Sequence, residues 1–107
     1  MALRPIKPEE RALIERLLSF VKDGNRYKIP QEVENLGEPG SGSLQLSAKG
    51  EHANDLVEAD YKDADGRDVL ITLSTNQFGE LYDLDLWKSD FSSLQLYPKA
   101  DKVKLST

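Results

Sequence analysis

Residues 55–91, with the sequence DLVEADYKDADGRDVLITLSTNQFGELYDLDLWKSDF, decide the fold. They contain three runs of alternating apolar and polar residues, separated by turn-forming residues at 63–66 and 76–79. A period of two with one polar side predicts antiparallel strands that are half buried. An earlier run at 44–48 alternates in the same way. The sequence therefore predicts four strands in a meander of order 1-2-3-4.

An amphipathic helix at 8–22 is the only segment expected to cover the apolar side of this sheet. Pro8 suits a first helical position, and Asp23-Gly24 suits the end of a helix. A short second helix after Pro30 is an open alternative. The predicted fold is thus α+β, an N-terminal helix packed on a four-stranded antiparallel meander. Its predicted core is Leu13, Ile14, Leu17, Val21, Leu44, Leu46, Val57, Ala59, Tyr61, Val69, Ile71, Leu73, Tyr82, Leu84 and Leu86.

The length of 107 residues suits a single domain, residues 1–107. We expect an ordered core at about 6–98. The glycine-rich residues 37–43 predict a flexible loop, because glycine loses the most chain entropy on ordering. The lysine-rich residues 99–107 carry no strand or helix pattern, so the sequence predicts a frayed or disordered tail.

Composition excludes several kinds of function. There is no cysteine, so a disulfide, a thiolate nucleophile and a cysteine-ligated zinc are all excluded. The net charge of −5 disfavours nucleic acid as a partner, because phosphate binding needs clustered lysine and arginine. No run approaches the length of a membrane helix or the apolar part of a signal peptide. We expect a soluble, cytoplasmic protein without cofactor or metal.

Negative charge is concentrated in the predicted sheet. Residues 55–90 hold ten acidic and three basic side chains, a balance of −7, whereas the whole chain carries −5. Strand alternation places Glu58, Asp60, Asp83 and Asp85 on the polar side. The same side should carry Leu70, Leu81 and Trp87, and exposed apolar groups beside charges are typical of a binding surface. These seven residues form the candidate protein-binding face.

Two other motifs favour structural interpretations. Aligning Gly66 with the sixth position of a calcium loop puts Tyr61 first and Thr72 twelfth, and neither is the required carboxylate. Residues 63–66 are therefore interpreted as a hairpin turn. His52 is the only histidine, and no nucleophile or ligand set surrounds it in the sequence. We predict neither catalytic nor metal-binding residues.

Three functions remain open. A monomeric, non-enzymatic module that binds a basic protein through the acidic face is favoured, because long-range attraction would steer such a partner. A small hydrolase or isomerase using Asp83 or Asp85 as a base is an alternative, and it requires a pocket and a raised pKa. An accessory subunit joined through an open sheet edge is the third. Trp87 is either exposed or covered by residues 91–98.

Residues 79–92 carry a recognisable tract, G-x-L-Y-x-L-D-x-W-K-x-D-F-S. Together with Gly42-Ser43-Leu44 and Asp65-Gly66, this tract resembles a family of small uncharacterised bacterial proteins over residues 8–98. The resemblance implies no activity, and its matching residues (Asp85, Trp87, Lys88, Asp90 and Phe91) are position markers. In size and charge the chain also resembles immunity proteins of bacterial toxin systems, an analogy that assigns no residue a role.

The concentrated charge predicts how stability responds to salt. Like charges on one sheet repel one another, and salt screens exposed charges over about 10 Å at 0.1 M. We expect the melting temperature to rise as NaCl increases from low to moderate concentration. Thermal melts at several NaCl concentrations check this, and a melting temperature that falls over the same range would contradict it.

Overall fold

The computed structural model describes residues 3–37, 40–90 and 92–106. Within them it contains one helix, α1 (Pro8–Ser19), and a seven-stranded antiparallel sheet. The strands are β1 (Arg4–Pro5), β2 (Glu32–Asn35), β3 (Leu44–Gln45), β4 (His52–Lys62), β5 (Asp68–Asn76), β6 (Leu81–Lys88) and β7 (Lys104–Leu105). Two short 3-10 turns, Gly24–Arg26 and Ala100–Lys102, complete the regular structure. The fold is α+β as predicted, but with more strands than four.

The strand order is β1-β2-β3-β6-β5-β4-β7. The meander β4-β5-β6 matches the prediction, whereas the predicted pairing of β3 with β4 is wrong. Leu44 of β3 lies opposite Leu84 of β6 instead. Alternation determines which side of a strand is buried, but it carries no information about which neighbour the strand pairs with.

Helix α1 begins at Pro8 as predicted and is supported at its start by a buried carboxylate. Glu10 is 4% exposed; it accepts the Lys7 backbone N–H at 2.9 Å and pairs with the Arg4 guanidinium at 2.7 Å. Burial has the largest single effect and opposes the charged form, but the hydrogen bonds from Arg4 and from the Lys7 N–H, together with the charges of these two residues, outweigh it, so the pKa of Glu10 lies below its ordinary value. The first turn is thus tied to β1.

The helix ends at Ser19, three residues earlier than predicted. The N–H groups of Phe20 and Val21 bond to carbonyls three residues back, which tightens the last turn. The chain then turns through Asp23 with a left-handed φ of 57°. A Cβ on the following Gly24 would lie 2.0 Å from the Leu18 carbonyl oxygen, so only glycine fits this close approach.

Two segments differ from expectation in their secondary structure. Residues 32–35 form strand β2 rather than a helix, and Val33 is fully buried. The tail at 99–107, predicted to be frayed, contains the second 3-10 turn (Ala100–Lys102) and β7 (Lys104–Leu105), which pairs with Ala59 and Asp60 of β4, while Thr107 lies outside the described residues. Val103 is fully buried there, and its carbonyl accepts the Arg16 guanidinium at 3.3 Å. Of the predicted loop 37–43, residues 38 and 39 lie outside the described part.

The core lies between α1 and one side of the sheet. Every predicted core residue is buried except Val21 and Tyr82, which are half-buried. The core also contains Leu18, Val33, Leu81 and Val103. Leu84 is fully buried near the middle of the sheet, between β3 and β5.

Truncating Leu84 should therefore be costly. We expect Leu84→Ala to lower the free energy of unfolding by about 2–5 kcal/mol, through lost burial and the cavity left behind. Urea unfolding measures this difference. Leu96→Ala is the matched control, because Leu96 is 57% exposed and its truncation should change stability by no more than about 0.5 kcal/mol. A cost below about 1 kcal/mol for Leu84→Ala would contradict the assigned core.

Candidate functional site

The side of β4, β5 and β6 that faces away from α1, here called the outer face, aligns its side chains in rows across the strands. The register places Asp60, Leu70 and Trp87 in one row and Glu58, Thr72 and Asp85 in the next. A third row contains Asp55, Ser74 and Asp83. The Cβ atoms of residues directly opposite on neighbouring strands lie about 5 Å apart. Six of the seven predicted face residues therefore lie on one continuous surface.

The outer face combines exposed acids with an exposed indole. Trp87 is 47% exposed, and Glu58, Asp60 and Asp85 are also exposed. Leu70 and Asp83 are half-buried. An aromatic ring on the same face as exposed carboxylates offers both an apolar contact and a negative field to a binding partner.

Two of these aspartates are held by serine hydroxyls. The Ser74 hydroxyl donates to Asp83. The Ser43 hydroxyl donates to Asp85 at 3.2 Å and accepts the Leu86 N–H at 2.9 Å. The two carboxylates thus lie on a strand surface with fixed donors, and the cavity of about 890 Å³ in this protein is lined by neither.

The placement of Leu81 on the outer face is wrong. Leu81 is 3% exposed and belongs to the core. Ser74 pairs with Asp83 but Thr75 pairs with Leu81, so Tyr82 is an extra residue in β6 and forms a β-bulge. A bulge reverses the alternation beyond it, which turns Leu81 inward.

The segment after β6 lies on the core side of the sheet. Leu94 and Tyr97 pack against the core, and a Cβ on Gly42 would contact both. Of the two alternatives for Trp87, the structure supports partial exposure, because residues 92–98 are directed to the opposite side. Phe91, a marker of the recognised tract, lies outside the described residues.

A buried charge cluster, made of Lys88, Asp63 and Asp65, closes one end of the sheet. The Lys88 ammonium lies 2.9 Å from Asp63 and 2.7 Å from Asp65, and it also donates to the Ser93 carbonyl at 3.2 Å. The side chains of Lys88 and Asp63 are 3% and 0% exposed. Three of the charges counted in residues 55–90, those of Lys88, Asp63 and Asp65, are therefore buried or partly buried.

Backbone amides complete the coordination of Asp63. Its carboxylate accepts the N–H groups of Gln95 at 2.8 Å, Leu96 at 3.1 Å and Ala64 at 2.8 Å. Burial alone would raise the pKa of Asp63, but these hydrogen bonds and the one from Lys88 lower it to about 2. The cluster thus binds the β4–β5 turn to the segment after β6.

Sequence reasoning missed this cluster, although a signal was present. Lys88 continues the inward positions of Leu84 and Leu86, and a lysine facing a core needs a buried carboxylate. The β4–β5 turn supplies it. The turn itself matches its interpretation, since Gly66 N–H bonds to the Asp63 carbonyl at 2.8 Å and Arg67 N–H to the Asp65 side chain at 3.0 Å.

His52 lies at the exposed start of β4. Its Nε2 lies 2.7 Å from Asp55, and this hydrogen bond raises the pKa of the imidazole above its ordinary value. Across the described ranges, no three His, Cys, Asp or Glu side chains are grouped to hold a metal ion.

A family model for a domain of unknown function, DUF6984, matches residues 3–98. No curated protein and no solved structure matches the chain. None of the described helices is long and apolar enough to cross a membrane.

The buried cluster predicts a pH-dependent contribution to stability. Asp63→Asn keeps the shape of the side chain but removes its charge, and should lower the free energy of unfolding by about 1.5–3 kcal/mol at pH 7. The folded pKa of about 2 lies below the ordinary 3.8, so the contribution is complete above about pH 4 and is lost as the pH falls to 2. The difference between wild type and variant should shrink over that window.

Urea unfolding at pH 7, 4 and 2 measures this difference. Asp68→Asn is the matched control, because the Asp68 side chain is 80% exposed and its pair with Lys62 is a surface pair worth about 0–1 kcal/mol. Equal stabilities of Asp63→Asn and wild type at pH 7 would contradict the role of the cluster.

Proposed function

Since the chain belongs to the DUF6984 family, a domain of unknown function, we propose from its geometry that it is a non-enzymatic module that binds a basic segment of a partner protein. The outer face is the proposed binding surface. The observation that carries the proposal is the exposed indole of Trp87, which shares the outer face with two exposed carboxylates: Asp85, two residues before it on β6, and Asp60, in the same row beyond Leu70.

The ion pairs formed among the described residues do not involve three carboxylates of the outer face. Lys88 faces the core, Lys62 pairs with Asp68 at 3.4 Å, and Arg67 pairs with Asp90 at 3.2 Å. Among residues 3–37, 40–90 and 92–106, no basic side chain forms an ion pair with Glu58, Asp60 or Asp85. The charges of Glu58 and Asp85 therefore remain available to an external cation, and Asp60, which lies opposite Lys104 of β7, can also contact one.

Arginine fits this surface better than lysine does. Its planar guanidinium can stack on an indole and bind a carboxylate through two parallel hydrogen bonds. The long-range field of the acids would accelerate encounter with a basic partner, while Trp87 and Leu70 would supply apolar contact. An arginine-rich segment is therefore the partner chemistry that we propose.

The sheet edge is a less suitable surface for assembly. Within the described residues, the C-terminal segment bonds to β4 at Glu58, Ala59 and Asp60, which leaves the first half of β4 at the edge. That half contains register shifts between His52 and Asn54 and between Asp55 and Val57. Irregular edges of this kind resist strand addition, so we propose that the module acts as a monomer.

Trp87 is the only tryptophan in the chain, so its fluorescence reports directly on the outer face. We expect an oligoarginine peptide to change this fluorescence saturably and an oligoglutamate peptide to leave it unchanged. The variant Glu58→Gln/Asp60→Asn/Asp85→Asn should bind oligoarginine about tenfold more weakly, from about 0.5 kcal/mol for each exposed charge. The salt dependence of binding should become flatter.

The matched control removes three acids away from this face, Glu9→Gln/Glu15→Gln/Glu32→Gln, and leaves the same net charge as the outer-face variant. It should retain nearly wild-type binding, because position rather than total charge determines attraction at short range. Equal weakening by both variants would show that only the net charge matters, and the outer face would no longer be the proposed site.

A further inference from the structure

A cavity of about 890 Å³ lies at the end of the sheet where β4 and β7 meet the C-terminal segment. Its volume falls in the range of about 300–1,000 Å³ that is typical of small-molecule sites. It adjoins the outer face at Asp60, which lines the cavity, whereas neither Leu70 nor Trp87 lines it.

Apolar side chains form much of the cavity wall. Tyr61 and Tyr97 line it together with Leu96 and Leu105. Leu96 and Leu105 are 57% and 43% exposed, and both lie on the wall of this cavity. The burial of these two side chains by a ligand would be favourable, since apolar surface would be removed from water.

Lysines converge on the same cavity from a single short segment. Lys99, Lys102 and Lys104 line it, and in the part of the chain that the structure describes none of them forms an ion pair. Lys62 also lines it but is paired with Asp68. The lining contains four lysines and three aspartates, a balance of +1 in a chain that carries −5. The cavity is thus a locally cationic site in an acidic protein.

We propose that this cavity binds a small amphipathic anion, an acidic group attached to an aliphatic or aromatic body. The lysine ammonium groups hold the acidic group at the rim, where their flexible stems allow them to reach it. The apolar body lies against Leu96, Leu105 and the tyrosine rings. Asp60 and Asp101 also line the cavity and disfavour ligands with several negative charges, so a single acidic group fits best.

The probe is 1-anilinonaphthalene-8-sulfonate, a monoanion with an aromatic body, and its fluorescence is followed with the full-length protein. We expect saturable enhancement that decanoate reverses by competition. Decylammonium, which has the same chain but the opposite charge, should compete about tenfold more weakly or worse, a difference of at least about 1.4 kcal/mol. Equal competition by the two compounds would overturn the proposal, as would the absence of saturable enhancement.

Matched variants locate the binding. Lys99→Gln/Lys102→Gln/Lys104→Gln should weaken decanoate binding about tenfold, whereas Lys22→Gln/Lys28→Gln/Lys49→Gln, which lie outside the cavity, should not. Leu96→Ser should weaken binding of the probe without lowering the melting temperature, since this side chain is exposed. Equal losses in both lysine variants would overturn the proposal, and so would tight binding of an acidic peptide without binding of decanoate.

Discussion

The contact between Lys88 and Asp63 is the interaction on which the rest of this structure depends. Each charge would be strongly destabilising if it were buried alone, because neither could interact with water. Together they satisfy each other, and Asp63 uses its remaining acceptor capacity on the amides of Gln95 and Leu96. This carboxylate thereby orders the chain after β6. The position of Tyr97, and with it one wall of the large cavity, follows from that anchoring.

The same contact also determines how charge is distributed between the two sides of the sheet. Because Lys88 faces inward, its charge is unavailable to neutralise the acids of the outer face. Asp63 and Asp65 pair with Lys88, while Asp68 and Asp90 form surface pairs with Lys62 and Arg67. The acids that remain lie in rows beside Trp87. The buried cluster therefore helps to determine which surface charges are left for a partner.

Local pattern was sufficient to predict β4, β5 and β6 and the side of each that is buried. Alternation over five or more residues is a strong signal, and Leu84 and Ile71 lie where it placed them. The partner of β3 could not be predicted, because pairing over a long sequence separation leaves no local trace. β7 was missed since two residues in a lysine-rich segment show no period, and only the burial of Val103 reveals its role.

Most residues of the outer face could also be predicted from alternation. The placement of Leu81 on this face was wrong because a bulge interrupts the alternation. Glu58, Asp60, Asp85 and Trp87 lie on the outer face because each is in phase with its strand. Leu81 precedes the bulge at Tyr82, and one inserted residue is enough to reverse a period of two. No feature of the sequence around Tyr82 signals such an insertion. The lysines of the cavity are evident in the sequence, but the cavity that they line is formed by tertiary structure and could not be predicted from it.

The strand order also has a kinetic consequence. The turns that join β4, β5 and β6 are short, so these strands can pair at a small cost in chain entropy. Leu44 meets Leu84 forty positions later, and Ala59 meets Leu105 at a similar distance. Pairing residues so far apart in sequence costs much chain entropy, so these contacts form only after the strands that they pair with are in place. The central hairpins thus provide the template onto which both ends of the polypeptide assemble, and nucleation should be concentrated there.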